Sequence, residues 1–169
     1  MPDAKRHEQN RNWFETILHY IPGFRGYLQK ENRRESDELQ RNWLAGRLQS
    51  SKRGLNDYAR ELTDSGNLDA LSHVERVRQR LDKLINRITS AMQGYSGVFD
   101  LVRVKEDVLD RVYAHDASLI QDVNALAEAI EQLPGETESP ATLSAQLIKS
   151  IDELDEAWDQ REDILNGME

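Results

Sequence analysis

One short segment of this sequence looks like a catalytic turn. Residues 94–98 read GYSGV, close to the G-x-S-x-G turn that presents a nucleophilic serine between a strand and a helix. The second glycine falls one residue early, so that Val98 occupies its place, and the flanking patterns are helical. We therefore interpret the glycines as a helix end covered by Tyr95 and Phe99, and we predict no catalytic role for Ser96.

The histidines could bind a metal only if carboxylates stood at suitable spacings around them. A di-metal helical bundle needs Glu-x-x-His pairs on two helices and a glutamate from each of the others. That spacing occurs at none of the four histidines, which are His7, His19, His73 and His115. We predict no metal site and no cofactor. His115 is interpreted as a core or boundary residue that is hydrogen-bonded to a neighbouring helix.

Four carboxylates form an acidic stripe on the last predicted helix, opposite its apolar face: Asp152, Glu156, Asp159 and Asp163. Such a stripe is typical of a solvated surface. The alternative is a docking strip for Lys and Arg side chains of another copy or of another protein. Calcium binding is disfavoured, because a straight helix cannot place about six oxygens around one ion.

The composition indicates what kind of fold must position these side chains. A chain of 169 residues is within the range of one domain, so residues 1–169 are predicted to form a single unit. Hydrophobic residues make up 38% and charged residues 31%, which favours long amphipathic helices. The chain has no cysteine, no signal-peptide pattern and no apolar run long enough to cross a membrane. These features predict a cytoplasmic protein.

Charge is unevenly distributed along the chain. Residues 1–90 contain 17 Lys/Arg and 13 Asp/Glu, whereas residues 91–169 contain 5 and 18. The halves complement each other, so we expect pairing within the chain, or self-association, that weakens with salt. Nucleic-acid binding is disfavoured, because the acidic half repels phosphates and no aromatic stacking series accompanies the arginines.

Apolar residues recur three and four apart along nearly the whole chain, which predicts an all-α fold. A short N-terminal helix is expected over about Lys5–Tyr20. Four long helices are expected over about Leu28–Thr63, Leu68–Gln93, Phe99–Leu133 and from Pro140 onward, where Ser139 can cap the helix start. Short connections predict an antiparallel up-down-up-down bundle with coiled-coil-like packing, in which consecutive helices are neighbours.

This topology brings the loops at residues 21–27 and 94–100 to the same end of the bundle. Counting back from the TDSGN turn at residues 63–67, residues 28–37 should project beyond the third helix with a surface that is polar all round. We expect the aromatic residues of the two loops to meet and to hold the base of this segment. The candidate partner-binding residues are Phe24, Tyr27, Arg33, Arg34, Tyr95 and Phe99.

Two segments carry a resemblance to other proteins. The stretch IPGFRGYLQKENRRESD, followed later by GYSGVFDLVRVKEDVLDRVYAHD, resembles a group of bacterial helical proteins with no established activity. The group shares a P-G-aromatic-x-G-Y segment before a charged helix and a later Gly-Tyr-x-Gly turn, where Val98 replaces a more typical aromatic residue. The resemblance implies a helical fold and a bacterial origin, and it assigns no functional residue.

The leading hypothesis is a non-enzymatic interaction or scaffolding bundle that binds a protein partner, or a second copy, through residues 21–38 and 94–100. One alternative is a membrane-surface adaptor that makes peripheral contact through the aromatic N-terminal helix, which carries Trp13 and Phe14. Packing of that helix on the bundle is favoured over a membrane role, because its basic face is modest. A metal-binding bundle enzyme is the other alternative.

Overall fold

The computed structural model describes residues 3–24, 33–94 and 106–165 and is helical throughout most of these ranges. The helices are α1 Asp3–Tyr20, α2 Arg33–Asp64, α3 Leu71–Gly94, α4 Glu106–Glu131 and α5 Pro140–Leu165, with a 3-10 turn at Leu68–Ala70. No strand occurs in the described ranges. The predicted all-α fold is therefore confirmed. Residues 28–32 and 99–105, which were also expected to be helical, lie outside the described residues.

The core consists of the apolar faces that the helical periodicity indicates. Leu44, Leu48 and Leu55 of α2 are fully buried, and Leu81 of α3 is fully buried as well. α4 and α5 contribute the same kind of stripe, with buried residues Ile120, Val123, Ile130, Leu147, Ile151 and Leu154. Burial of these side chains at about 1.5 to 3 kcal/mol each is the main force that holds the helices together.

The four long helices form a ring in the order α2, α3, α5, α4, and α1 packs outside on α4. α2 and α3 are antiparallel, since Arg41 Nη1 donates to Ile88 O over 3.3 Å while Arg78 Nη1 donates to Asn56 Oδ1 over 2.6 Å. α4 and α5 are antiparallel too, joined by residues 132–139. The chain direction thus alternates as predicted.

One pair of consecutive helices, α3 and α4, is not adjacent, contrary to the prediction. α2 and α4 are adjacent and parallel: Arg47 bonds to Asn124, and further along both helices Gly54 lies against Ile130. α3 and α5 are adjacent and parallel in the same way, because Arg80 bonds to Asp152 and, further along both helices, Arg87 bonds to Asp159. α3 and α4 therefore lie diagonally across the bundle. Residues 95–105, which stand between these two helices in the sequence, lie outside the described residues.

The α2–α3 turn ends α2 by a defined hydrogen-bond pattern. Gly66 has a φ of 77°, a conformation that glycine adopts without steric cost. Asn67 N donates to Leu62 O over 2.8 Å, and Gly66 N donates to Thr63 O over 3.1 Å. These are the two bonds of a Schellman motif, so the predicted TDSGN turn is confirmed as a helix terminator.

Ser139 caps α5 as predicted, which gives a first test of the structure. Thr142 N donates to Ser139 Oγ over 3.2 Å, and Leu143 N donates to Ser139 O over 3.0 Å. Ser139→Ala should lower the free energy of unfolding by about 1 kcal/mol, since it removes an acceptor for an unpaired helix N–H group. Urea denaturation measures the change. Ser50→Ala, on the exposed face of α2, serves as the control and should cause no such loss; equal stabilities of the two variants would contradict the cap.

Candidate functional site at the loop pole

The loop pole is the end of the bundle at which the described parts of α2 and α4 begin and that of α3 ends. The segment that follows α1 is close as well, because a Cβ atom added at Gly23 would lie 3.8 Å from Leu39 Cδ2. The helix ends are thus gathered at one pole, as the predicted topology requires, while residues 25–27 and 95–100 of the two loops lie outside the described residues.

Directly beneath the loop pole, two arginines and two aspartates form a buried ion network, defined as Asp37, Arg41, Asp116 and Arg161. Arg161 Nε donates to Asp116 Oδ1 over 2.6 Å, and its Nη2 donates to Asp37 Oδ1. Arg41 Nε donates to Asp37 Oδ2 over 2.7 Å. All four residues are less than 8% exposed, so each charge depends on the others for compensation.

The network connects all four long helices. Asp37 and Arg41 belong to α2, Asp116 to α4 and Arg161 to α5, and Arg41 also reaches α3 through the carbonyl of Ile88. Charge-assisted hydrogen bonds of this kind fix direction as well as distance. The helix ends beneath the loop pole are therefore held in one arrangement.

Both guanidinium groups of this network lie over the ring of one tryptophan. The guanidinium carbon of Arg41 is 4.9 Å from the ring centroid of Trp158, and that of Arg161 is 5.3 Å from it. Trp158 is 1% exposed. Cation–π contacts in such a desolvated place contribute about 2 kcal/mol, so the indole stabilises both charges where water cannot reach them.

The buried ion network corrects one sequence-based expectation. Residues 28–37 were expected to present a polar surface on all sides, but Asp37 is buried and binds Arg161 of α5. The sequence did contain a signal for this. Arg41 stands three residues before the core residue Leu44, and Arg161 stands three after Trp158, so both occupy core positions of the helical repeat. Charged residues at such positions require buried partners of opposite charge.

The predicted partner-binding residues fall into three groups. Phe24 is 0% exposed and packs in the core, so it supports the loop pole from within. Arg33 and Arg34 lie in the first turn of α2. Tyr27, Tyr95 and Phe99 lie outside the described residues, as does Ser96, and the expected contact between the two aromatic loops stays a prediction.

His115 contacts the neighbouring helix as expected. Its Nε2 is 2.6 Å from the carbonyl oxygen of Ala157 on α5. A carbonyl oxygen only accepts hydrogen bonds, so Nε2 carries a proton and donates it, which leaves this nitrogen unsuited to bind a metal. Among the described residues, no group of three or more His, Asp or Glu side chains is arranged to hold a metal ion.

The aromatic face of α1 packs against the other helices of the protein. Trp13 is 7% exposed and its ring centroid lies 5.0 Å from that of Tyr113 on α4, while Ile17 is fully buried. Tyr20 makes a further edge contact with Trp43 of α2 at 5.7 Å. The predicted packing of this helix on the bundle is confirmed. Its apolar face is covered by protein, whereas a membrane-surface helix must offer that face to lipid.

Part of the acidic stripe pairs with arginines of α3. Arg80 Nη1 lies 2.7 Å from Asp152 Oδ1, and Arg87 bonds to both Asp155 and Asp159. The hydrogen bond to Asp159 is the largest influence that raises the pKa of Arg87. The basic and acidic halves of the chain thus meet within one molecule, one of the two arrangements that their charges predict.

A second cross-link joins α2 to the end of α4. Arg47 Nη2 donates to Glu131 Oε2 over 3.1 Å, and Arg47 Nε donates to Asn124 Oδ1 over 3.0 Å. The hydrogen bond from Arg47 lowers the pKa of Glu131. Both side chains are partly exposed, so this pair specifies how α2 and α4 align more than it adds to stability.

In the ranges that the structure describes, no helix combines the length and apolar character that crossing a bilayer requires. Comparison of the chain with protein-family models, with curated proteins and with solved structures gave no match.

Proposed function

We propose that this chain is a non-enzymatic interaction or scaffolding protein that binds a protein partner at the loop pole, through residues 21–38 and 94–100. The observation that carries the proposal is the buried ion network, which ties α2, α3, α4 and α5 together immediately beneath that pole. Binding residues are concentrated on loops that a rigid scaffold positions. The network supplies such a scaffold.

The charge arrangement on the sides of the bundle also supports this choice. Many side-facing arginines are already engaged by carboxylates of the same chain, as Arg47 is by Glu131 and Arg87 by Asp159. Arg33 and Arg34 belong to the first turn of α2, a few residues after Tyr27 in the sequence. Arginine and tyrosine are enriched among the residues that dominate binding energy at protein interfaces.

The partner is another protein or a second copy of this chain, and the setting is the cytoplasm of a bacterium. The absence of cysteine supports a reducing compartment, and the resemblance of the PGF-x-GY and GY-x-G segments supports a bacterial origin.

Affinity capture with matched variants tests the loop pole. The tagged chain is used to isolate partners from cells of its source, beside a variant that combines Tyr27→Ala, Arg33→Glu and Arg34→Glu. We expect partner recovery to fall at least about tenfold in this variant, because its substitutions remove the arginine and tyrosine contacts of the pole. Quantitative mass spectrometry of the captured proteins measures the change.

The control is Arg60→Glu, an exposed charge reversal near the opposite end of α2. It should retain every specific partner. Equal recovery by wild type, pole variant and control would show that the loop pole does not bind the partner. Loss in the control alone would place the interface at the other end of the bundle.

A further inference from the structure

α3 and α5 are parallel helices joined by regularly spaced ion pairs. Arg87 pairs with Asp159 and Arg80 pairs with Asp152, so on both helices the pairs stand seven residues apart, which is about two turns. One more step of seven toward the start of each helix reaches His73 on α3 and Ala145 on α5. At this third position α5 offers a methyl group where the other two positions offer a carboxylate.

A groove opens where the third ion pair is missing. Its volume is about 490 Å³, within the range of ligand-binding pockets. Ala141, Ala145 and Ile148 of α5 form its apolar floor, and His73 and Arg76 of α3 line the other side. We call this surface the α3–α5 groove.

The groove is long and narrow. On α5 its lining extends from Ala141 to Glu156, which corresponds to about 22 Å at the helical rise. A small metabolite would fill only part of that length, whereas a helix of another protein can lie along all of it. The groove runs along α5, and the small alanines on its floor leave space for larger apolar side chains of a bound helix.

The groove carries two opposite charges that the described residues do not neutralise, one near its middle and one at its Glu156 end. Asp152 is held by Arg80, and Lys149 lies 3.9 Å from Glu153. Within the described parts of the chain, Arg76 and Glu156 take part in no ion pair or hydrogen bond. Arg76 precedes Arg80 by one turn and so lies level with residue 148 of α5, about 12 Å from the level of Glu156.

We propose that the α3–α5 groove binds an amphipathic helix of another protein. The helix places apolar side chains on the alanine floor, a carboxylate against Arg76 and a basic side chain against Glu156. A separation of about 12 Å equals roughly eight residues of a helix, so both charged groups stand on the same face as the apolar ones. A second copy of this chain is a poorer occupant, because two molecules of net charge −9 repel each other.

This surface lies toward the end of the bundle opposite the loop pole, and it does not depend on the function proposed there. A synthetic helical peptide of about 18 residues tests it, a length at which isolated helices are stable enough to study. The peptide carries a leucine face flanked by one Glu and one Lys eight positions apart. Fluorescence anisotropy of the labelled peptide, titrated with the full chain, measures binding.

We expect saturable binding to the wild type and at least about tenfold weaker binding to Ala145→Trp. Binding to Ala125→Trp should be unchanged, since Ala125 is an exposed residue of α4 that faces the space between α4 and α5. Arg76→Glu should weaken binding about fivefold, in line with an exposed ion pair. A second peptide, with Lys in place of its Glu, should recover that loss on Arg76→Glu. The recovery separates an electrostatic contact from general damage to the fold.

Three results would overturn the proposal. The first is the absence of saturable binding to the wild type, and the second is equal binding by Ala145→Trp and wild type. The third is a dimer of the wild type, seen by analytical ultracentrifugation, that Ala145→Trp converts to a monomer, because a second copy would then occupy the groove. Variants of the loop pole should leave peptide binding unchanged.

Discussion

Replacing Gly54 by alanine should lower the free energy of unfolding by about 3 kcal/mol, because α2 and α4 leave no room for a side chain at this point. A Cβ atom added there would lie 2.8 Å from the carbonyl carbon of Ile130 and 2.8 Å from Glu131 Cα. Both are backbone atoms, which cannot turn aside as a flexible side chain would, so the two helices must separate. Urea denaturation should show a lower midpoint with an unchanged slope.

Gly46 provides a matched control on the same helix. A Cβ atom added there meets nothing within 4 Å, and the residue is exposed. Alanine is favoured over glycine inside a helix by about 1 kcal/mol, so Gly46→Ala should raise stability. A similar gain from Gly54→Ala would show that α2 and α4 do not approach each other as closely as the structure has them.

The second large effect is expected for Arg161→Met, which should lower the free energy of unfolding by about 3 to 5 kcal/mol. Arg161 is 1% exposed and donates hydrogen bonds to both Asp116 and Asp37. Methionine fills much of its volume but leaves Asp116 as a buried carboxylate without its arginine. Asp37 suffers less, because Arg41 still bonds to it. Equilibrium unfolding by circular dichroism measures the loss.

A double variant separates the lost charge pair from lost packing. Asp116→Leu combined with Arg161→Met removes both charges, and a buried pair replaced by apolar residues costs little or nothing. The double variant should therefore be more stable than Arg161→Met alone. A double variant that loses as much as the sum of its two single variants would show that Asp116 and Arg161 do not interact. Arg60→Met, at an exposed position, should change stability by less than about 0.5 kcal/mol.

The fold class and most of the core could be predicted from the sequence, because both follow from local periodicity. Leu44, Leu48 and Leu55 stand on one face of any helix that contains them, whatever packs against that face. All three are buried in the structure. The cap at Ser139 and the terminator at Gly66 were predictable for the same reason, since each depends on residues within one turn.

The candidate site could be predicted only in outline. Alternating helix directions predict that the loops at 21–27 and 94–100 share one pole, and the sequence suffices for that prediction. It did not identify the partners in the ion network beneath the pole, because Asp37 and Arg161 are 124 residues apart on the diagonally placed α2 and α5 and meet only across the interior of the assembled bundle. The core positions of Arg41 and Arg161 indicate that these charges need buried partners, but they do not indicate which residues those partners are.

The sequence by itself thus determined the helices, their apolar faces and their alternating directions, since each depends on the order of residues along one or two turns. Only the tertiary structure decided that α2 lies against α4 and α3 against α5, with α3 and α4 on the diagonal. That choice depends on how closely two faces can approach. Gly54 lets the backbones of α2 and α4 come into contact, and the ion pairs of Arg80 and Arg87 align α3 with α5. Both effects depend on two facing helix surfaces and are not contained in the sequence of either helix alone.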